Sequence, residues 1–180
     1  MILCTHDPGP TQSACVWWDT ETDRPAVEHG PPTQLENREY LKFYKENLRP
    51  EHVVCIEQVI NYGHVMDKNA RDTIRYSGRI EQIALDRGCK VFYITYSDVA
   101  VHLCGMRNAK QSQINAALAG RYGYGSVVEG KGTIKKPGIF HGMKEHIFSA
   151  AALAVFTTDL FNGKAFGPPG FVGLSEYAAD

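Results

Sequence analysis

The sequence predicts an α/β fold in which a mixed five-stranded sheet is flanked by helices. Short apolar runs separated by turn residues occupy the first 30 positions, a pattern typical of an antiparallel meander. Apolar segments with helical spacing then alternate with short β-branched runs, which favours strands joined by crossover helices. A sheet with one antiparallel edge accommodates both patterns.

The predicted elements follow one another with short connections. Strands are predicted at residues 2–5, 13–18, 26–28, 51–57 and 90–95. Helices are predicted at residues 36–48, 69–88, 97–104, 110–121 and 144–161. The run 51–57 lacks polar alternation, so its strand is expected at the centre of the sheet. Gly and Lys residues without periodicity predict a mobile loop at residues 122–142.

Two helices carry more specific expectations. Ser97 is expected to cap the short helix 97–104. Alanines in the last helix should let it pack close to the sheet. The apolar face of the helix 69–88 is predicted to contain Ile74, Ile80, Ile83 and Ala84.

Composition indicates a single globular domain. The 180 residues are 43% hydrophobic and 22% charged, which excludes a disordered or fibrous chain. Residues 1–161 are predicted to form the domain, and residues 162–180 a docked or flexible tail. No apolar run reaches the roughly 20 residues of a membrane span, and the start lacks a signal-peptide pattern, so we expect a cytoplasmic protein without a membrane partner.

Charge and cysteine usage narrow the possible partners and sites. Nineteen basic and twenty acidic residues give a net charge of -1, so nucleic-acid affinity would require a local basic patch. The five cysteines form no CxxC pair and lie mostly in apolar runs. Buried thiols are therefore expected rather than a zinc site.

Two acidic residues end neighbouring predicted strands. Asp7 follows the first apolar strand and precedes a Pro-Gly-Pro turn, and Glu57 ends the predicted central strand. Carboxylates at adjacent strand ends can share hard cations, because Mg²⁺ prefers oxygen ligands and keeps positions for water and phosphate. Two such ions can promote phosphodiester cleavage. The position alone leaves open that Asp7 caps a turn and that Glu57 pairs with a surface base.

Several segments resemble RuvC-type Holliday junction resolvases of the RNase H-like superfamily. They are the start ILCTHDPGPTQSACVWW, the strand VVCIEQV, the helix NARDTIRYSGRIEQIA, the segment SDVAVHLCG with the following AKQSQ, and the helix EHIFSAAALAVF. Their order and approximate spacing match those of the family from about Met1 to Phe161. The resemblance implies an RNase H-like fold and a divalent-metal-dependent nuclease.

The resemblance also implies a ligand set. Asp7 and Glu57 resemble the family's first two metal-binding acids, and His146 and Ser149 fall where the last helix supplies further ligands three residues apart. A serine in place of an acid departs from that pattern, so Glu145 or His141, one helical turn from such positions, could substitute. The implied metal ligands are Asp7, Glu57, Glu145 and His146. The cofactor is then Mg²⁺ or Mn²⁺, as two ions, and an imidazole ligand favours manganese.

Further residues are assigned to catalysis and DNA binding. Lys110 resembles a family lysine near the scissile phosphate, where an ammonium offsets developing charge. His146 would also make the rate depend on pH near neutrality. Tyr62 falls in a loop that probes the junction centre in the family and can stack on a base. The local basic patch that net charge does not show could be formed by Arg71, Arg75, Arg107, Lys131, Lys135 and Lys136. With Tyr62 and Lys110, these are the predicted nucleic-acid-binding residues.

The leading hypothesis is an endonuclease that resolves four-way DNA junctions by paired nicks, with water as nucleophile. Resolvases of this type act as homodimers, since paired nicks need two active sites. The resemblance therefore implies a homodimer, with the helix 69–88 at its interface. Ser149 motivates a second hypothesis, a catalytically impaired module that binds branched DNA. A structure-selective RNA nuclease is a third. A lobe of an actin-like or sugar-kinase ATPase ranks last, because 180 residues leave no room for a second lobe.

Overall fold

A six-stranded mixed sheet forms the centre of the computed structural model, which describes residues 1–60 and 65–165. The strands are β1 (Ile2–Pro8), β2 (Gln12–Asp19), β3 (Arg24–Pro25), β4 (Thr33–Glu36), β5 (Val53–Gln58) and β6 (Lys90–Thr95). Their order is β3-β2-β1-β5-β6, and β4 also pairs with β2. β1 is antiparallel to β2 and parallel to β5, which is in turn parallel to β6. The predicted mixed sheet with an antiparallel edge is confirmed. β5 is an interior strand, between β1 and the edge strand β6, and β1 is the middle strand.

The antiparallel edge differs in detail from the prediction. Four residues of β4 pair with the first half of β2 and add a sixth strand to the predicted five. The strand predicted at 26–28 is wrong. Arg24 and Pro25 are the residues that pair with the end of β2, and hydrogen bonds from His29 to Ala26 and from Gly30 to Val27 fold the following residues into a turn.

Six helices connect or cover the strands within the described ranges. They are α1 (Asn37–Asn47), α2 (Lys68–Asp86), α3 (Tyr96–Cys104), α4 (Gln111–Arg121), α5 (Val127–Lys131) and α6 (His146–Phe161). All of the predicted helices are present. None of the helices in these ranges is long and apolar enough to cross a membrane.

Capping residues explain where the helix boundaries depart from the prediction. α3 begins one residue early because Thr95, rather than Ser97, accepts a hydrogen bond from the Asp98 amide. The predicted loop 122–142 contains α5, which Ser126 caps by accepting from the Glu129 amide. α6 begins at His146 rather than at residue 144, because Glu145 has a backbone φ of 38° and cannot continue a helix.

Helices pack on both faces of the sheet. α1 and α2 cover a cluster that includes Cys4, Ile56 and Tyr76, and α6 packs on the opposite face, where Thr5 donates a hydrogen bond to the Ala150 carbonyl at 2.7 Å. Alanines along α6 allow this close approach, as the sequence predicts. Four of the five free cysteines are buried and the fifth is partly buried.

One residue of α2 lies outside its predicted face. Ile80 and Ala84 are buried and Ile83 packs against the same cluster, but the side chain of Ile74 is 40% exposed. Six residues at 100° each separate Ile74 from Ile80, which turns it about 120° away from the sheet. Its inclusion in the buried face is therefore wrong.

Strand alternation selects the face on which each acidic residue lies. Leu3 and Thr5 of β1 and Val53 and Cys55 of β5 face α6. Since side chains repeat every two residues along a strand, Asp7 and Glu57 point to this same face.

Candidate active site

Asp7 and Glu57 occupy equivalent positions at the ends of two adjacent parallel strands. His6 pairs with Ile56 in the ladder between β1 and β5, so each acidic residue follows a paired residue. Parallel strands bring their carboxyl ends to one edge of the sheet. Two residues distant in sequence are thereby brought together, and both side chains are only partly exposed.

His146, the first residue of α6, contacts Asp7. Its Nδ1 lies 2.9 Å from Oδ2 of Asp7. The Asp7 side chain is 12% exposed and that of His146 is 51% exposed, so the ring covers the carboxylate and keeps one edge in solvent. The hydrogen bond to Asp7 raises the pKa of His146, because the carboxylate stabilises the imidazolium. The structure thus places His146 against Asp7, and Asp7 next to Glu57 at the ends of adjacent strands.

The environment of Glu57 disfavours its charged form. Burial raises the pKa of the Glu57 carboxyl, and the negative charge of Asp7 raises it further, while His146 partly opposes both effects. Within the described ranges, no group donates a hydrogen bond to this carboxylate. A partly buried carboxylate that lies next to a second carboxylate and accepts no hydrogen bond needs a proton or a cation to offset its charge.

Glu145 lies beside the site but is held by another partner. Its Oε2 accepts a hydrogen bond from Nε2 of Gln34 in β4, at 3.1 Å. The same Gln34 nitrogen also donates to Oε1 of Gln12. The charge of Glu145 contributes to the raised pKa of His146, so the two side chains are electrostatically linked. Glu145 belongs to the rim of the site, next to the strand β4 that sequence did not predict.

Ser149 lies one turn into α6, on the side of Glu57. Its hydroxyl donates to Oε1 of Gln111 at 3.1 Å, and Glu57, Gln111 and Ser149 line one narrow crevice together with Tyr96. Gln111 is the first residue of α4, and Lys110 immediately precedes it with an exposed side chain. Lys110 is thus one residue from the site.

The donors present suit a hard divalent cation. Asp7 and Glu57 supply carboxylate oxygens, which Mg²⁺ and Mn²⁺ prefer, and a cation would relieve the repulsion that raises the pKa of Glu57. No group of three or more His, Cys, Asp or Glu side chains in residues 1–60 and 65–165 is placed to hold one metal ion. The pair fits a site completed by water and substrate phosphate.

The predicted basic residues lie on several different surfaces. Arg75 lies on α2 beside Asp72, whereas Arg107 borders a cleft with His102 and Lys164. Lys131 lies over the ring of Phe148. Besides Lys110 before α4, the remaining described members are exposed side chains on α2 and on the segment after α5, namely Arg71, Lys135 and Lys136. Tyr62 lies outside the described residues, and so do tail residues 166–180.

His141, the alternative ligand, borders a different cleft. Its Nδ1 lies 3.3 Å from the Lys131 carbonyl, and the ring lines a cleft of about 610 Å³ with Tyr122, Tyr124 and several prolines. The structure therefore does not place His141 with Asp7.

Neutral amides are the site residues that sequence reasoning missed. Gln34 holds Glu145, Gln111 holds Ser149, and Asn37 holds the turn after Asp7 by donating to the Gly9 carbonyl at 3.0 Å. The sequence did contain a signal for Gln111, because this residue directly follows Lys110 in the AKQSQ segment. Gln34 and Asn37 had none, because their roles depend on the pairing of β4 with β2.

Among known proteins, the chain matches solved structures but no family model and no curated sequence. The Thermus thermophilus RuvC structure matches with a TM-score of 0.63 and 16% identity, over 93% of this chain and 100% of that chain. T. thermophilus RuvC in complex with Holliday junction substrate matches with a TM-score of 0.61 and 16% identity, over 93% and 99% of the two chains. The chain therefore has the RNase H-like α/β fold of RuvC, as the sequence resemblance implies.

Proposed function

We propose that this protein is a divalent-metal-dependent endonuclease that resolves four-way DNA junctions by paired nicks. The observation that carries the proposal is the Asp7–Glu57 pair at adjacent strand ends, in which burial and mutual repulsion raise the pKa of Glu57. A junction is favoured as substrate because the matched RuvC structure is a complex with a Holliday junction.

Asp7 and Glu57 would hold Mg²⁺ or Mn²⁺, and Glu145 and His146 stand next to them as further candidate ligands. Such ions activate a water and stabilise the leaving oxygen in phosphodiester hydrolysis. His146 keeps Asp7 oriented through Nδ1. Its other ring nitrogen, Nε2, has no hydrogen-bond partner among the described residues and would exchange a proton with solvent or substrate. Lys110 would offset the charge that develops on the phosphate.

A cleavage assay on a synthetic labelled four-way junction tests the proposal. Wild-type protein should cut symmetrically with Mg²⁺ or Mn²⁺, and Asp7→Asn and Glu57→Gln should each lose cleavage but keep junction binding. Glu46→Gln removes an exposed acid of α1 and is the matched control. Cutting by Asp7→Asn at the wild-type rate would refute the site assignment.

A binding module without cleavage is the second candidate. It is favoured by Ser149 at an implied ligand position and by the lack, in the ranges described, of three side chains placed around one metal. This candidate predicts tight junction binding and no nick with any divalent ion. Duplex DNA and structured RNA in the same assay test for other nucleases, and preferential RNA cutting would indicate the third hypothesis.

We also propose that the protein acts as a homodimer through α2. Ile74 and Leu85 are 40% and 53% exposed, and their spacing of eleven residues places them on one face, separated by three turns. Sedimentation should detect a dimer that Ile74→Glu combined with Leu85→Glu converts to a monomer. Val128→Glu, at an exposed valine of α5, should leave the dimer intact. A wild-type monomer on junction DNA would contradict the proposal.

A further inference from the structure

A groove between α1 and α2 carries a concentration of arginines that the sequence analysis did not assemble. Its volume is about 540 Å³, and Arg38 from α1 and Arg75 and Arg79 from α2 line it with Tyr76 and Pro10. Arg75 and Arg79 are four residues apart and so project from one face of α2. Only Asp72 brings a negative charge to the lining, so the groove is net positive.

Two of these arginines have unused binding capacity. The Arg75 guanidinium lies 3.7 Å from the Asp72 carboxylate. Arg38 and Arg79 are exposed, and neither forms an ion pair or a hydrogen bond within the described part of the chain. A guanidinium presents a fork of N–H donors that matches a phosphate group, and its charge persists at any physiological pH.

The floor of the groove is tied to the strand end that carries Asp7. The Tyr76 hydroxyl donates to the Asn37 carbonyl at 2.5 Å, and the Asn37 side chain donates to the Gly9 carbonyl and accepts from Ser13. Gly9 itself has no room for a side chain, since a Cβ would lie 2.4 Å from the Gln12 carbonyl oxygen. The turn that separates Asp7 from Pro10 is therefore held rigidly against the groove.

This arrangement places a phosphate-binding surface next to the candidate active site. Three residues of extended chain span at most about 10 Å, so Pro10 at the mouth of the groove lies close to Asp7. A nucleic-acid strand that is cut at Asp7 and Glu57 and passes over this turn would bring its next phosphates to Arg38, Arg75 and Arg79. Net charge gives no indication of this surface, because acidic residues elsewhere cancel it.

We propose that the α1–α2 groove binds the sugar-phosphate backbone of DNA, with Arg38 and Arg79 as its principal phosphate contacts. The inference rests on the proposed function for its substrate, a DNA junction, but it assigns a binding site separate from the metal-binding acids. Phosphate contacts fix the position of the duplex without reading its sequence.

Binding of a labelled four-way junction, measured in EDTA at several salt concentrations, tests this proposal independently of cleavage. Arg38→Gln and Arg79→Gln should each weaken binding about tenfold, as expected for the loss of one charge-assisted hydrogen bond. Together they should reduce the slope of log affinity against log salt by about 2, since each lost phosphate contact contributes about 0.9. The double variant should lose affinity for a free DNA duplex arm to a similar extent.

Controls separate this site from folding, dimerisation and catalysis. Arg24→Gln removes an exposed charge from β3, outside the groove, and should retain the wild-type slope. The proposal would be overturned if the double variant kept the wild-type salt slope, even if the wild type cuts junctions. It would also be overturned if the double variant changed its oligomeric state instead of its salt slope. Arginine-dependent binding by a wild type that never cuts would support the groove and refute the nuclease. The proposal would also be overturned if the groove arginines bound free inorganic phosphate but their substitution left DNA binding unchanged.

Discussion

The Nδ1 atom of His146 lies 2.9 Å from Oδ2 of Asp7, which joins the start of α6 to the end of β1 across 139 positions of sequence. The hydrogen bond raises the pKa of His146, and the charges of Glu145 and Glu57 add to the effect. Through this hydrogen bond, His146 orients the Asp7 carboxylate. In the proposed metal site, the loss of a partner that orients a ligand in this way typically costs about 10- to 100-fold in metal affinity or activity.

His146→Ala should therefore reduce junction cleavage about 10- to 100-fold and move the manganese titration to higher concentration. The measurement is the single-turnover cleavage rate across a manganese series. His141→Ala, which removes an exposed histidine outside the site, is the matched control and should leave the titration unchanged. A His146→Ala variant that only melts earlier, with its titration midpoint intact, would show that the residue has no role at the metal.

The raised pKa of Glu57 predicts a pH-dependent stability difference. Burial and the Asp7 charge raise the pKa of this carboxyl from 4.5 to about 8, so the folded state binds a proton that the unfolded state has released. The contribution of Glu57 to stability therefore falls as pH rises through that interval. Glu57→Gln, which cannot ionise, should gain stability relative to wild type between pH 5 and pH 8, by on the order of a few kcal/mol.

The quantity to measure is the difference in unfolding free energy between wild type and Glu57→Gln, with EDTA present to remove metal. Burial lowers the pKa of His6 to about 3 and that of His52 to about 4, so these histidines destabilise both proteins as pH falls. Subtracting the unfolding free energies cancels this common effect. Divalent cation should stabilise the wild type more at pH 8 than at pH 5. A difference that is flat with pH would mean that Glu57 is not perturbed.

Ser149 allows a test of the incomplete ligand set. Its hydroxyl contacts Gln111 and lines the crevice beside Glu57, so Ser149→Asp would add a third carboxylate there. Without metal the variant should melt lower because of repulsion, and with Mn²⁺ it should gain more stability than the wild type, with a metal midpoint on the order of tenfold lower. Thermal denaturation with and without Mn²⁺ measures both effects. Ser149→Asn is the uncharged control, and equal manganese responses in the two variants would place residue 149 outside the metal site.

The sequence was informative about the parts of the fold that periodicity controls. The order of strands and helices, the interior position of β5 and the paired positions of Asp7 and Glu57 all follow from apolar runs and their ends. β4 was not predicted because three of its four residues are only partly buried and the fourth is exposed, so the strand depends on its pairing with β2. Local pattern cannot report such pairing.

The site was predictable in its acids but not in its surroundings. Glu145 is held by Gln34, 111 positions earlier, and no spacing rule connects the two. The groove arginines show the same limit, because Arg38 and Arg79 belong to different helices whose polar faces look ordinary in sequence. Residues that sequence grouped into one patch, such as Arg75 and Arg107, instead line different clefts.

The far end of α6 is fixed by a buried ion pair that provides a stability prediction. The side chain of Asp159 is 3% exposed and accepts hydrogen bonds from both terminal nitrogens of Arg121, at 2.7 and 2.8 Å, with His102 at 2.8 Å. Burial opposes the charge, but the bonds from Arg121 and His102 prevail and lower the pKa of Asp159. Asp159→Asn removes one ionic partner of the half-buried Arg121 guanidinium, which keeps Asp23 as its other partner at 3.1 Å, so the change should cost about 3 kcal/mol, the lower end of the range for breaking a buried pair.

Chemical denaturation measures this cost, and Asp72→Asn provides the control. Asp72 faces the exposed Arg75 at 3.7 Å, so its loss should cost no more than about 0.5 kcal/mol. Adding Arg121→Gln to Asp159→Asn should cost less than the sum of the two single changes, because Asp159→Asn has already broken the ion pair between Arg121 and Asp159. Asp159 lies thirteen residues beyond His146, about 20 Å along the helix, so the folded fraction should retain its cleavage rate. Additive costs would mean that the two side chains stabilise the fold separately.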